Sequence, residues 1–333
     1  MTQSCMTTSL CKEKNSIETW IHRWGSSASE AILDSPCHIF RTNDIDGFIG
    51  YCVESQCAII YGDPICAPEE IPRLVEAFHR YCKENNLNMI CIIASESFAK
   101  WAIQHLSNVM IEIGEEIIFN PRNDPTEGSK GHKLRHKVNH VLHLGLKVHE
   151  YTTNDPKLES AIQEMGDAWR KTRRGPQIYL GNLKFFEKRV GRRWFYVKDG
   201  DRILGAALLS KLEARKGWLL KFLIALPKAP AGTSELLMTS VLETLRGENC
   251  NFLTYGMVPA EHLGEIIGLG KWSSWLARTV FKMTKWIFKL NQRKMYWKKF
   301  HPKTEPTYIL FSKQEVGLKE IRAIMKSLKI DMS

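Results

Sequence analysis

The chain lacks any apolar run near the roughly 20 residues that a membrane-crossing helix needs. Its most apolar stretches, Gly205 to Ser210 and Trp218 to Leu226, have the length of buried strands. The opening segment, Met1 to Lys14, places Cys, Ser and Thr where a secretory signal would carry its apolar core, so export by that route is not expected. CxxC pairs are absent, and the nine cysteines are an odd number without a small-scaffold rhythm. A reducing compartment with mostly buried thiols accounts for them, and Cys52, Cys57, Cys66, Cys82 and Cys91 fall in apolar patterns. No Cys–His spacing has zinc-finger form, so no metal is expected. Acidic residues are missing altogether between Glu265 and Glu305, where ten Lys or Arg occur.

What is present is a globular composition, 44% hydrophobic and 25% charged, over 333 residues, enough for two ordinary domains. The net charge of +11 is unevenly held. Through Gly128 there are 9 basic against 18 acidic residues; beyond it there are 38 against 18. An acidic first part and a strongly basic second part point to a polyanion, nucleic acid or anionic membrane, as partner of the second.

Residues 1–16 read as a flexible leader, and Ser16 to Ser27 as a short helix with Trp20 and Trp24 one turn apart. Hairpin strands are expected over Cys37 to Tyr61, a helix after Pro68, a strand over Asn88 to Ala94 and a helix over Ser97 to Leu106. Strands follow at Asn108 to Ile113 and Glu115 to Phe119. The order then recurs: a helix over Asp155 to Arg170, strands over Arg193 to Lys198, Ile203 to Leu212 and Trp218 to Leu226, a helix over Ser234 to Arg246 and a strand from Cys250 to Tyr255. Two similar halves joined near 120–150 indicate a tandem repeat of one architecture.

Several stretches carry a more specific pattern. Gly47-Phe48-Ile49 is followed by Tyr61-Gly62-Asp63-Pro64. Glu116-Ile117-Ile118 precedes Gly131 to Asn139, with Lys133, Arg135 and Lys137, and then Gly145. Asp167-Ala168-Trp169 precedes Arg173 and Arg174. Further on stand Pro227 to Thr233 with Glu235, Tyr255 to Pro259, and Lys299-Phe300-His301-Pro302 with Glu305-Pro306 and Tyr308. In this order the six segments, spanning 37–312, resemble the C-terminal domain of the phosphatidylglycerol lysyltransferases. The resemblance implies an α+β fold of two tandem GNAT-like (acyl-CoA N-acyltransferase-like) domains with mixed central sheets flanked by helices. It places them at 17–130 and 131–333. It also implies transfer of an aminoacyl group from aminoacyl-tRNA to a membrane lipid such as phosphatidylglycerol, with no cofactor. The sequence departs from the family in carrying no multi-pass membrane segment, and in having Lys221 where members often have Asp and Leu226 where a basic residue is common. The last two changes put lysine in question as the transferred amino acid.

An aminoacyl-tRNA is an activated ester. Its transfer needs an incoming hydroxyl, a weak proton acceptor and donors for the developing oxyanion, but no covalent nucleophile. Lys299 is the candidate for the oxyanion or the terminal tRNA phosphate. Glu235 and Asp167 are candidates for holding an α-amino group or polarising the hydroxyl, although Glu235 near a helix start would also complement the helix dipole. Gly256 and Met257 would supply backbone N–H groups at a splayed strand, unless they form a plain strand end. Trp169, Arg173, Arg174, Lys221, Gly232, Thr233, Glu305 and Tyr308 complete the expected substrate cleft. A CoA-dependent enzyme would have a glycine-rich pyrophosphate loop where Pro227 to Ser234 offers one glycine and two prolines, which favours a tRNA donor.

Lys133, Arg135, Lys137, Arg170 and Lys171 are candidates for phosphate contacts, and His132, His136 and His140 share the helical face beside them. From Lys271 to Leu290, Trp272, Trp275 and Trp286 lie on one apolar arc, with Lys282 and Lys289 on a neighbouring basic arc. That is the pattern of an interfacial membrane helix, although a helix docked on its own core shows the same stripe. Phe281 and Phe288 fall off the stripe, which suggests a wider apolar surface or a second contact. The expectation is a cytoplasmic enzyme, peripheral on the inner face of the membrane. An acyl-CoA-dependent N-acyltransferase and a non-catalytic binder of nucleic acid or anionic membrane are the alternatives.

Overall fold

The computed structural model describes residues 17–34, 37–172, 183–288, 291–314 and 316–328. Among these residues the fold is α+β, one mixed sheet of twelve strands flanked by helices.

The first part contains α1 (17–24), α2 (Glu30–Asp34), β1 (His38–Phe40), β2 (Ile49–Glu54), β3 (Cys57–Tyr61), α3 (Ile71–Glu84), β4 (Asn88–Ala94), α4 (Glu96–His105) and β5 (Val109–Phe119). The second contains α5 (His132–His143), β6 (Val148–Tyr151), α6 (Pro156–Lys171), β7 (Arg192–Asp199), β8 (Arg202–Leu212), β9 (Gly217–Ala225), α7 (Thr233–Gly247), β10 (Leu253–Pro259) and β11 (Ile266–Ile267). The chain ends with α8 (Lys271–Phe288), α9 (Asn291–Lys298), β12 (Lys303–Phe311) and α10 (Leu318–Ser327). Helix starts follow local chemistry: Ser95 caps α4 through the N–H of Phe98, and Asp155 caps α6 through those of Lys157 and Leu158.

The repeat expected from element order is present in the strand pairing. β1 to β3 form an antiparallel meander, and β3 pairs in parallel with β4 across the α3 crossover. In the second half β6 to β9 form the meander, and β9 pairs in parallel with β10 across α7. Each parallel partner then bends at a bulge with positive φ, at Ile93 (+61°) in β4 and at Gly256 (+86°) in β10. β5 lies between β10 and β12, and β12 lies between β5 and β4. The last long strand of the chain is thus built into the first half.

Alternate residues of β8 enter different cores. Ala207 and Leu209 pack with α5 and α7, whereas Ala206 and Leu208 pack with α6. The first half buries Leu74, Phe78 and Phe98 of α3 and α4 on one face, and Ile21 and Ile32 of α1 and α2 on the other.

One expectation fails. The two strands predicted at 108–113 and 115–119 are the single strand β5. Gly114 makes no turn; a β-carbon there would stand 2.6 Å from the Val258 carbonyl oxygen, so the glycine permits close approach of β10.

Candidate active site

β9 and β10 pair at only two positions, Trp218 with Leu253 and Leu219 with Thr254, and then part. The loop leaving β9 is held by its own backbone. Ala229 N–H donates to Leu226, and both the N–H and the hydroxyl of Thr233 donate to Pro230. Gly232 has φ +107°, and a β-carbon on it would meet the Lys137 carbonyl oxygen at 2.6 Å. This close crossing sets the first turn of α7 against α5.

In that turn Glu235 is buried and complements the positive end of α7. Its Oε1 accepts from Lys299 Nζ at 2.7 Å and from Lys137 Nζ at 3.1 Å, and its Oε2 accepts from the Ser234 hydroxyl at 2.9 Å. Lys299 follows α9. That helix packs on β10 through Trp297, whose ring lies 4.2 Å from that of Tyr255. Lys299 Nζ stands 3.8 Å over the ring of Tyr296. The Glu235–Lys299 pair therefore joins the helix that follows β9 to the helix seated on β10, where the two strands have separated.

Burial pushes the Glu235 carboxyl up, but the Lys299 ammonium, the Ser234 hydroxyl and Lys137 outweigh it and bring the pKa down to about 2. Burial lowers the pKa of Lys299, and Glu235 opposes part of that shift. Glu235 is consequently a fixed anion and a poor proton acceptor near neutrality. With two ammonium groups on one carboxylate, the cluster carries a net positive charge suited to an oxyanion or a phosphate.

Of the residues singled out in the sequence, the structure brings together Lys299, Glu235, Lys137, Gly232 and Thr233. Gly256 lies at the β10 bulge, but its N–H donates to the Thr254 hydroxyl at 2.9 Å. That donor is committed within the strand, contrary to the expected oxyanion role. Met257 pairs with Glu116 of β5.

Asp167 lies on α6, against the other face of β8, half-exposed and 3.8 Å from Arg170. Trp169 is buried in the α6 core, and Tyr308 in the first-half core beside α3 and α4. Glu305 pairs with Arg215 at the surface. Arg173 and Arg174 lie outside the described residues. A groove along α6, lined by Gln163, Asp167, Arg170 and Phe186, is separate from the Glu235 cluster.

On α5, His132, Lys133, His136, Lys137 and His140 are exposed, as a phosphate-facing surface requires. Arg135 instead donates to the carbonyls of Thr126 and Gly128 and holds that loop. Lys171 is exposed. Trp272, Trp275 and Lys282 are exposed on α8; Trp286 lies within α8, and Lys289 falls outside the described residues. Among the described residues no group of His, Cys, Asp and Glu has the arrangement of a metal site.

A second buried charge cluster escaped the sequence reading. Glu30 of α2 accepts from Arg192 at 2.9 Å, Lys221 at 3.1 Å and the Ser210 hydroxyl at 2.6 Å. Burial raises the Glu30 carboxyl, yet Lys221 and Arg192 bring it down to about 2. Lys221 sits at the β9 bulge opposite Leu208 and Leu209, and one of its contacts is thus Glu30 rather than an open cleft. The available signal was Glu30 itself, a carboxylate inside a short apolar segment.

The family model for Phosphatidylglycerol lysyltransferase, C-terminal, matches residues 21–311. A phosphatidylglycerol lysyltransferase of Staphylococcus xylosus is 22% identical over 91% of this chain and 36% of its own length. The lysylphosphatidylglycerol biosynthesis bifunctional protein LysX of Rhodococcus opacus is 28% identical over 57% of this chain and 16% of its own. The chain thus spans about a third or less of these relatives. Among solved structures, L-PGS from Bacillus licheniformis superposes with a TM-score of 0.78 at 15% identity, covering 95% of this chain and 96% of that one. The C-terminal DUF2156 domain of an Agrobacterium fabrum protein assigned as a lysylphosphatidylglycerol synthetase gives 0.73 at 19%, covering 90% of each. The two structures share its fold, and the sequence match over 21–311 places the chain in the phosphatidylglycerol lysyltransferase C-terminal domain family.

Proposed function

We propose that this chain is an aminoacyltransferase that moves an aminoacyl group from aminoacyl-tRNA to a hydroxyl of a membrane lipid such as phosphatidylglycerol. The observation that carries the reading is the Glu235–Lys299–Lys137 cluster at the parting of β9 and β10. The reaction exchanges one ester for another. The lipid hydroxyl attacks the aminoacyl carbonyl, the bond to the tRNA ribose breaks, and the proton of the lipid hydroxyl ends on the ribose oxygen. Lys299 stabilises the oxyanion that forms between these events. Glu235 is a positioning residue: ionised and buried, it holds Lys299 and Lys137 at fixed points. Lys137, on the exposed basic face of α5, extends the positive surface towards the tRNA phosphates. Two of the N–H groups that could cradle a CoA pyrophosphate, those of Ala229 and Thr233, are bonded within their own loop, which supports the tRNA donor.

The test supplies purified protein with phosphatidylglycerol and tRNA charged with a mixture of labelled amino acids. Label should enter the organic phase, and ribonuclease pretreatment should abolish it. Lys299→Ala should lower the transfer rate about 10²- to 10³-fold, the cost of losing an oxyanion donor, while tRNA binding changes much less. Transfer that survives Lys299→Ala at full rate would remove the cluster from the chemistry. Binding of both partners with no transfer of any amino acid would favour the non-catalytic binder.

A further inference from the structure

We infer that α8 is a docking surface for an anionic lipid bilayer, with Trp272 and Trp275 as its inserting residues. Amphipathicity alone left two readings of this helix, and its seating separates them. α8 rests on the first-half core through Ala277 and Phe281, and Arg278 donates to the carbonyls of Leu263 and Gly264. Ser274, on the same side, bonds back to Gly270 and Leu269. At about 100° per residue, Trp272 and Trp275 point away from this seat. The docked side of the helix is therefore not its tryptophan stripe.

The two indoles are 80% and 58% exposed and meet edge to face at 5.6 Å. A protein surface seldom leaves two adjacent tryptophans in water without a partner for them. Lys271 and Lys282, both exposed, flank them, and no acidic residue occurs between Glu265 and Glu305. Indole rings settle at the headgroup level of a bilayer, and flanking lysines add attraction to anionic headgroups. That charge complementarity selects an anionic bilayer as the occupant. The surface deepens the proposed function by bringing the chain to its lipid, but it stands on α8 alone.

The experiment sediments the full chain with vesicles of phosphatidylcholine, or of equal parts phosphatidylcholine and phosphatidylglycerol. The chain should partition onto the mixed vesicles, and added salt should weaken the partition. W272A/W275A should reduce the partition about tenfold. K271A/K282A should reduce the preference for the mixed vesicles. Circular dichroism melts should match wild type, since all four side chains are exposed, and brominated lipid should quench tryptophan emission more in wild type than in W272A/W275A. Equal partition of wild type and W272A/W275A, or no partition of wild type, overturns the inference. Loss of tRNA binding by W272A/W275A with vesicle partition retained also overturns it and assigns the helix to RNA. Partition needs no charged tRNA, so its failure and the failure of transfer are read separately.

Discussion

Among the described residues, two buried carboxylates are each held by two cations, and their surroundings give them different work. Glu235 is met by Lys299 and Lys137, whose side chains remain 25% and 52% exposed, so its cluster opens to solvent. Glu30 is met by Arg192 and Lys221, which are nearly enclosed, and its cluster ties α2 to β7, β8 and β9. Glu30→Gln removes the buried negative charge on which the Arg192 guanidinium and the Lys221 ammonium converge. It should lower unfolding stability by about 3–5 kcal/mol in urea titrations. Acid should act on the same groups. Both carboxyls have a folded pKa of about 2, below the ordinary value of 4.5, so their contribution is complete above that value and declines as pH falls from it towards 2. Wild type should therefore lose more stability than Glu30→Gln between pH 5 and pH 3, by on the order of 1–2 kcal/mol. Parallel curves for the two proteins would show that Glu30 titrates normally in the folded state. Glu235 and Lys299 were legible in the sequence because they sit in motif segments. Glu30 was not, since its three partners lie 162 to 191 residues away and no local period links them.

At the scale of single elements, Gly232 decides where α7 begins and hence where Glu235 stands. Its φ of +107° is a conformation that side chains rarely adopt, and a β-carbon would also press on the Lys137 carbonyl. Gly232→Ala should cost about 1–3 kcal/mol of stability. It should also lower transfer by more than the folded fraction explains, because the displaced turn carries Glu235 away from Lys299. Melting curves and rates corrected for folded protein test this; activity that tracks the folded fraction alone would make Gly232 purely structural. Helices with a clear apolar period, such as α3 and α6, were readable within a few residues. β5 was misread because a glycine that admits a neighbouring backbone looks, in one dimension, like one that makes a turn. The off-stripe Phe281 of α8 was the one-dimensional trace of a helix with two apolar sides, one seated on the core and one bearing Trp272 and Trp275.

At the scale of the molecule, the acidic and basic parts of the chain are joined by the insertion of β12. Sequence order and strand length suffice to recognise the repeat, but no local signal says that residues 303–311 return to pair with 90–94 and 109–118. The insertion also fixes how the molecule must respond to truncation. Tyr308 and Leu310 enter the core beneath α3 and α4, whereas Ile309 and Phe311 enter the opposite core with Ile21 and Ile32. From Tyr308 to Phe311, β12 is thus buried on both faces and paired on both edges. A chain ending at Pro302 keeps Glu235 and Lys299 but opens the edges of β4 and β5 and both first-half cores. It should aggregate or lose its cooperative melt, because unpaired edges flanked by exposed apolar side chains recruit other chains. A chain ending at Lys313 loses α10 and keeps β12, and should retain more of the cooperative transition than the shorter one. Soluble yield, size exclusion and thermal circular dichroism of the two truncations make the comparison. A monomeric, cooperatively melting chain ending at Pro302 would mean that the first half folds without its inserted strand, and that β12 serves chiefly to carry Lys299 to its place.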